Sequence, residues 1–587
     1  MSDATAPVAS AATVPPSDDP ARPTVGLVLG TEDSTPLRFA VALGPGESLQ
    51  LDDVVVCDRV LPDGEIIRVA GVVDNVRASH EGTRFSSDVF LVESGILPAQ
   101  TSEVAEVLTT RVEPEIYVPP LPGAAVRRAV GAEHEHALFF DQMEQRLPIG
   151  LDHRGEPLYA NFDFVDGTRG AHVNISGISG VATKTTYATF LLYSMFNCGV
   201  LGREAANSKA LIFNVKGEDL LFLDHLNARL KPVDVERYRQ LGLPAAPFDS
   251  VAVYGSPRKG DPNAAPDIAT RTLNTHTYYW TIAEFVEEEL LAFLFADAED
   301  ERQQFTMVIH NVSARLKREG ERVGDDGAWR IDDVTITTFA DLCELICARV
   351  EDEATRYEWA GPATSTGSVH AFIRRLRSSQ RMLGHLIRAD IKIRPDHQVR
   401  LSDAKVTVVD LHNLHDRAKR FVVGTTIRQV FEQKEASGAS RPLLFLVLDE
   451  LNKYAPSTGD SPIKEILLDV AERGRSLGVI LIGAQQTASE VERRIIANSS
   501  IRVAGRLDPA EAQRAEYGFL SSTHRQRATI AKPGTMFVSQ PEIPVPLVVE
   551  FPFPAWATRP SERGGFAAAL PDAVRDALPD DPFDGIA

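Results

Sequence analysis

Two short segments carry the residue types that handle phosphate. The first is Gly177-Ile178-Ser179-Gly180-Val181-Ala182-Thr183-Lys184-Thr185-Thr186. It follows the apolar run His172-Val173-Asn174-Ile175 and opens a helical stretch from Tyr187 to Asn197. Strand, small-residue turn, Lys-Thr and helix is the arrangement of a P-loop. Backbone N–H groups cradle phosphates, the lysine reaches the terminal phosphates, and a hydroxyl holds Mg²⁺. On this reading Gly177, Gly180, Val181, Ala182, Thr183, Lys184, Thr185 and Thr186 bind the nucleotide, ATP, and Thr185 serves the Mg²⁺. The usual spacing puts glycine directly before the lysine and again six residues before it. Here Thr183 and Ile178 stand at those positions, and Gly177 lies one residue further back, so the loop carries one extra residue. The plain alternative is a glycine turn ahead of a buried helix.

The second segment is Leu443-Leu444-Phe445-Leu446-Val447-Leu448-Asp449-Glu450. A near-continuous apolar run ending in two carboxylates is a buried parallel strand that delivers both acids to the carboxyl edge of its sheet, where open α/β sheets bind ligands. Asp449 then holds Mg²⁺, directly or through water, and Glu450 polarises the attacking water. Val406-Thr407-Val408-Val409-Asp410 is a weaker copy, because Leu411 follows its acid. It reads as a neighbouring strand.

A third group runs from Glu472-Arg473-Gly474-Arg475-Ser476-Leu477-Gly478 through the strand Val479 to Gly483 into Ala484-Gln485-Gln486-Thr487-Ala488-Ser489. An arginine at a helix end can reach a neighbouring subunit's γ-phosphate, and a polar residue at the next strand's tip can sense that phosphate. Taken alone, Arg475 is equally a solvated or helix-capping arginine, and Gln485 or Gln486 a loop amide.

The elements that position these residues follow from patterning. Residues 1–23 are rich in Ala, Pro, Ser and Asp and read as a flexible tail. Residues 24–123 hold short β-rich runs (Val25–Leu29, Leu37–Val41, Val54–Cys57, Ile66–Val73, Val89–Val92) split by Gly, Pro and Asp, the pattern of a small β-barrel or sandwich. Val118-Pro119-Pro120-Leu121-Pro122-Gly123 reads as a stiff linker out of it. Apolar strands alternate with helical stretches in 124–271 and again in 397–550, which gives an α/β fold around a parallel sheet. Residues 272–396 break that rhythm and read as a mostly helical insertion, and 551–587 as a C-terminal extension.

Composition narrows the function further. Hydrophobic residues at 43% and charged residues at 24% exclude wholesale disorder over 587 residues. No apolar run reaches about 18 residues, which argues against a membrane span, and the N-terminus lacks a secretory pattern. Four cysteines are too few for a disulfide framework, so a cytoplasmic protein is expected. A net charge of -21 excludes a protein that coats nucleic acid with its whole surface, though not a locally basic channel. The richest basic stretch, Arg374-Arg375-Leu376-Arg377-Ser378-Ser379-Gln380-Arg381 and on to Arg388, suits an amphipathic helix whose basic face is solvated or, alternatively, lines such a channel. Asp410 to Arg417 holds metal-capable residues without metal spacing and reads as a polar strand-end loop. Cys343 and Cys347 read as core.

Taken together, these motifs resemble the HerA/FtsK branch of ring-forming P-loop ATPases, with bacterial HerA-like proteins the nearest likeness. The resemblance covers most of the chain: residues 24–123 as the HAS-type barrel, His172 to Gly177 entering the P-loop, Asn214-Val215-Lys216-Gly217-Glu218 as a characteristic strand end, Leu448-Asp449-Glu450 as Walker B, and Gly474 to Gly478 with Gln486 and Ser489-Glu490-Val491 as the finger and sensor region. It implies a RecA-like core and makes Arg475 the arginine acting in trans, Gln486 the sensor and Arg169 an additional cis arginine. It further implies a homo-hexameric, ATP-driven translocase or helicase on double-stranded DNA, partnered through its barrel by a nuclease or a phage-defence effector. The longer P-loop and the acidic surface keep a second reading open beside this leading one, an ATP-binding scaffold that organises an effector and uses hydrolysis as a switch. The proline-bounded barrel and the lack of membrane segments argue against a conjugation-type protein or peptide mover.

Overall fold

The computed structural model describes residues 23–83, 85–178, 184–295, 303–325, 327–362, 364–391, 397–402 and 404–563. Nearly all of the expected N-terminal tail, and 564–587, lie outside the described residues. The chain divides into two compact units at Gln142/Met143.

In the first unit, β1 (Thr24–Val28), β2 (Arg38–Leu43), β3 (Val54–Val60), β4 (Ile66–Glu81), β5 (Gln100–Glu113) and β6 (Ala125–Arg128) close into a barrel in the order β1-β2-β5-β4-β3-β6. Val25, Phe39, Val41, Val55, Val69, Val107 and Val126 fill it. Two expectations are corrected here. Val89–Val92 lies in a short helix, Asp88–Glu93, with no buried residue; an apolar run this short does not distinguish strand from helix. The proline segment is not an exit from the barrel. Gly123 N donates to Val28 O at 2.8 Å and Val28 N to Ala124 O at 2.9 Å, so the chain returns along β1 and closes the barrel with β6. The boundary therefore falls at 142 and not at 123.

The second unit contains β7 (Arg146–Leu151), β8 (Pro157–Asn161), β9 (Val173–Ser176), β10 (Lys209–Asn214), β11 (Val251–Gly255), β12 (Thr275–Thr277), β13 (Gly320–Val323), β14 (Ala328–Ile331), β15 (Val334–Ile336), β16 (Val406–Asp410), β17 (Leu444–Asp449), β18 (Val479–Gln485), β19 (Ile501–Ala504), β20 (Thr535–Gln540) and β21 (Ile543–Glu550). All but β13–β15 form one sheet, ordered β12-β11-β16-β10-β17-β18-β9-β19-β20-β21-β7-β8. The strands from β12 through β19 run parallel and the remainder antiparallel. Every residue of β17 and β18 is buried, as continuous apolar runs require. Each fully buried Leu, Ile, Val or Phe there contributes about 1.5–3 kcal/mol.

The insertion carries helices Gln303–Glu319, Phe339–Glu351, Glu353–Ala360 and Thr366–Leu383 beside the small β13–β14–β15 sheet. Its Phe305, Trp329 and Phe372 share one apolar cluster with Phe213 and Leu446 of the main sheet, so it is packed into the core. Cys343 and Cys347 are buried in that cluster. At the other end, residues 551–563 are not a loose extension. Trp556 is fully buried, its ring 4.7 Å from Tyr193 and 5.1 Å from Phe248, and Asn227 N donates to Ala555 O at 2.9 Å. Among the described residues, no helix is long and apolar enough to cross a membrane.

Candidate functional site

Five parallel strands end at one edge of the sheet in polar residues: Ser176 on β9, Asn214 on β10, Asp410 on β16, Asp449 on β17 and Gln485 on β18. The helix Lys184–Asn197, buried without a break from Tyr187 to Met195, starts at this edge. Its first residues meet the β17 acids. Thr185 Oγ1 donates to Asp449 Oδ2 at 2.8 Å across a separation of 264 residues. Lys184 is buried, and that burial pulls its ammonium down to about 8 against the opposing pull of Asp449. Thr186 lines the same cavity, of about 450 Å³, as do Lys184 and Thr185. Gly177 is described, its N donating to Gln485 O at 3.1 Å. Gly180, Val181, Ala182 and Thr183 lie outside the described residues.

Asp449 at the end of β17 and Glu450 just past it are both held by lysines. Lys216, just past β10, donates to Asp449 Oδ2 at 2.8 Å and stands 3.7 Å from Glu450. Lys453 Nζ lies 2.5 Å from Glu450 Oε2. Glu450 has φ +58°, a left-handed backbone that turns the chain sharply at the strand end. The hydroxyl of Thr185 and the carboxylate of Asp449 are the hard oxygen donors Mg²⁺ takes, and the Lys216 ammonium shows that this carboxylate edge accepts a cation. The residues fit the metal, and Thr185 and Asp449 would hold it.

Gln485 and Gln486 separate cleanly. Gln485 is fully buried, and its Nε2 donates to Asn174 Oδ1 and Ser176 Oγ, both at 2.8 Å. It ties the end of β18 to β9. Gln486 is the exposed residue at the tip. Beyond it, Ser489 is pinned by Glu511, through the backbone N at 3.1 Å and Oγ at 2.8 Å.

The two arginines stand elsewhere. Arg475 closes the helix Pro462–Leu477, which runs back to the amino edge of the sheet. Its Nε donates to Gly167 O at 2.9 Å and its Nη2 to Thr168 O at 2.7 Å. Gly167 has φ +95°, and a Cβ there would sit 2.9 Å from Arg475 O, so this contact needs glycine. Arg169 pairs with Glu542 in the β20–β21 turn and stacks 4.6 Å over Phe164. That turn is level with the start of β9, so Arg169 too lies at the amino edge, away from Lys184. The expected cis placement of Arg169 on the nucleotide is therefore not what the structure shows; the loop before β9 begins at the wrong edge.

Sequence reasoning missed the far wall of the cavity: Arg229, Asp219, Phe553, Arg559 and Glu562. Arg559 pairs with Asp219, at 2.5 and 3.1 Å, across 340 residues. No local spacing signals such a pair. His412 stacks its charge on Asp410, Nδ1 to Oδ2 at 2.8 Å, and the carboxylate raises its pKa. Asp410 thus ends β16 beside β10, where Asn214 Nδ2 donates to its Oδ1 at 2.9 Å, and the expected 410–417 loop is shorter, because Asp416 and Arg417 already belong to the helix Asp416–Ser437.

No protein-family model matches the sequence, and no curated protein matches it. Among solved structures, the chain is similar to VirB4 of Thermoanaerobacter pseudethanolicus, at 16% identity and a TM-score of 0.42 over 73% of this chain and 99% of that one. It is also similar to the plasmid coupling protein TrwB in complex with ADP and Mg²⁺, at 12% identity and a TM-score of 0.44 over 75% and 96% of the two chains. A shorter likeness, to the genome packaging NTPase B204 from Sulfolobus turreted icosahedral virus 2 in complex with ATP-γS, has 12% identity and a TM-score of 0.20 over 26% and 71%. The chemistry rests on the residues above.

Proposed function

We propose that this chain is a P-loop ATPase that binds ATP with Mg²⁺ at the carboxyl edge of its parallel sheet and hydrolyses it, as one subunit of a homo-hexameric ring that moves double-stranded DNA. The observation that carries the ATPase reading is the meeting of Thr185 with Asp449 at 2.8 Å, with Lys184 and Glu450 beside them. Lys184 supplies positive charge to the terminal phosphates, and its burial strengthens that interaction by excluding water. Mg²⁺, when bound, neutralises phosphate charge, with Thr185 and Asp449 as its protein ligands. Glu450 accepts a proton from the attacking water once its carboxylate is released from Lys453. Gln486, exposed at the β18 tip, serves as the γ-phosphate sensor, and Arg475 serves a neighbouring subunit's site. The barrel is the docking module for a nuclease or defence effector.

The test is ATP turnover and nucleotide binding by the purified protein. Lys184→Ala should abolish hydrolysis, and Glu450→Gln should retain ATP binding while turnover stops, because an amide does not polarise water as a carboxylate does. Normal turnover by Glu450→Gln removes the assignment. Stimulation of turnover by duplex DNA separates a motor from a nucleotide-switched scaffold.

A further inference from the structure

The cavity of about 450 Å³ has two walls of different chemistry. Lys184, Thr185, Thr186, Lys216 and Asp449 make one, and Leu220, Phe553 and Pro554 give the other its apolar surface. The second wall is held independently of the first. Asn227 N donates to Ala555 O at 2.9 Å, Ala557 N to His225 O at 2.7 Å and Ala228 N to Glu562 O at 2.8 Å, so residues 555–562 are bonded along 225–228. The aromatic residues of this segment divide into two kinds. The ring of Phe551 packs 5.1 Å from that of Tyr187, and the ring of Trp556 packs 4.7 Å from that of Tyr193. Phe553, between them in sequence, is half-buried, lines the cavity and meets no other ring among the described residues. A phenyl ring left unstacked at a cavity wall offers its face to a flat ligand.

One loop touches both walls. After β10, Lys216 donates to Asp449 Oδ2 at 2.8 Å, and three residues later Asp219 pairs with Arg559 at 2.5 and 3.1 Å. A triphosphate seated on Lys184 and Thr185 leaves its nucleoside to the remaining wall, which supplies the apolar groups a base takes. We propose that Phe553 and Pro554 form the base-binding wall of the nucleotide site, and that the Arg559–Asp219 pair is a positioning contact that holds this wall to the loop carrying Lys216. Phe553 has this role only if Lys184 and Thr185 seat the phosphates. Arg559 is 60% exposed, so water screens its pair with Asp219, and breaking that pair should weaken binding less than removing the Phe553 ring.

The experiment is calorimetry on the full chain with Mg²⁺, using ATP and inorganic tripolyphosphate, which carries the phosphates without a nucleoside. The wild type should bind ATP about tenfold or more tightly than tripolyphosphate. Phe553→Ala should weaken ATP by about tenfold and leave tripolyphosphate unchanged, whereas Phe553→Tyr, which keeps a ring, should keep ATP affinity. Arg559→Met and Asp219→Asn should each weaken ATP by about two- to fivefold, and the double variant should lose no more than either alone. Equal affinity of the wild type for the two ligands, or unchanged ATP affinity in Phe553→Ala, overturns the base wall. An equal loss of both ligands in Phe553→Ala overturns it too, because the residue then supports the fold and not the base. Additive losses from Arg559→Met and Asp219→Asn, or no loss from either, overturn the positioning contact. A wild-type chain that binds neither ligand sinks the nucleotide reading and the base wall with it, whereas ATP held equally well without the Phe553 ring sinks the base wall alone.

Discussion

Glu450 and Arg475 lie at opposite edges of the sheet. Glu450 follows the last residue of β17, whereas Leu444 N, at the start of β17, donates to the carbonyl of Gly478, three residues beyond Arg475. A strand of this length spans about 20 Å. One chain therefore cannot bring the Arg475 guanidinium to its own Glu450 without unfolding the helix Pro462–Leu477 between them. Nε and Nη2 are engaged by the 167–168 carbonyls, and Nη1 has no partner among the described residues.

This separation gives a prediction about mixed assemblies. Arg475→Ala should keep nucleotide binding and lose about 10³–10⁵-fold in turnover, the range for an arginine finger. Co-assembling Arg475→Ala with Glu450→Gln subunits should restore part of the activity, because some interfaces then pair an intact Glu450 with an intact neighbouring Arg475. Steady-state ATPase on mixed assemblies, with subunit exchange confirmed by a labelled chain, is the measurement. No recovery would sink the trans role and leave Arg475 as the anchor of the 167–168 turn.

Lys184 makes nucleotide affinity depend on pH. Without nucleotide its pKa is pulled from 10.5 to about 8 by burial. Bound phosphates favour the ammonium and raise that value again. Below about pH 8 the lysine is charged in both states and affinity is flat. Above it, binding must take up a proton, so affinity should fall as pH rises toward 10.5. Calorimetry at about pH 9 in buffers of different ionisation enthalpy should show proton uptake by the wild type and none by Lys184→Met. The stability of the nucleotide-free chain moves the other way. The depressed pKa penalises the folded state below about pH 8, and that penalty is relieved as pH rises from 8 to 10.5.

Lys216 should act as a cation stand-in. It holds Asp449, whose side chain is 5% exposed, from a position that is itself 38% exposed. Lys216→Ala should destabilise the metal-free protein by about 1–2 kcal/mol, less than a fully buried pair because water screens the ammonium. Mg²⁺ with a nucleotide analogue should recover the loss. Thermal midpoints with and without Mg²⁺ test this, and an unchanged metal-free midpoint would reject it.

The barrel closure by β6 fixes where the chain can be cut. A protein starting at 143 loses the whole barrel and should remain a soluble ATPase that no longer captures its effector. One starting at 121 keeps β6 without β1 and β3, exposes the fully buried Val126, and should aggregate. Size-exclusion profiles of the two decide. Full-stoichiometry capture of the partner by residues 143–587 would remove the barrel as docking module.

The sequence displays some of this openly and hides the rest for physical reasons. Acids at the end of a wholly apolar strand are legible because burial on both faces leaves no other pattern, which is why Asp449 and Glu450 stand out and Asp410 reads as their neighbour. The Lys-Thr pair at the helix start is legible for a related reason, since the turn must be small and the helix buried. Lys453 on Glu450 and Arg559 on Asp219 are not, because nothing local distinguishes them from solvated charges. The choice between Gln485 and Gln486 needed the end of β18, which is buried through its last residue, Gln485, and leaves Gln486 exposed just past it. Residues 551–563 look loose because proline and aspartate dominate beyond them, yet Trp556 and Phe551 are core.

The position of β9 sets a timetable for synthesis. The strand that leads into the P-loop is flanked by β18 and β19, so its first lateral partner begins at Val479, 303 residues after Ser176 is made. At about 5–20 residues per second, the ribosome takes about fifteen seconds to a minute to supply it. Over that interval both hydrogen-bonding edges of β9 lack their strands, and the cavity wall from Phe553 to Glu562 comes later still. A nascent chain is therefore unable to complete this cavity until Glu562 has been made, and whatever shields β9 in the meantime must do so without help from nucleotide.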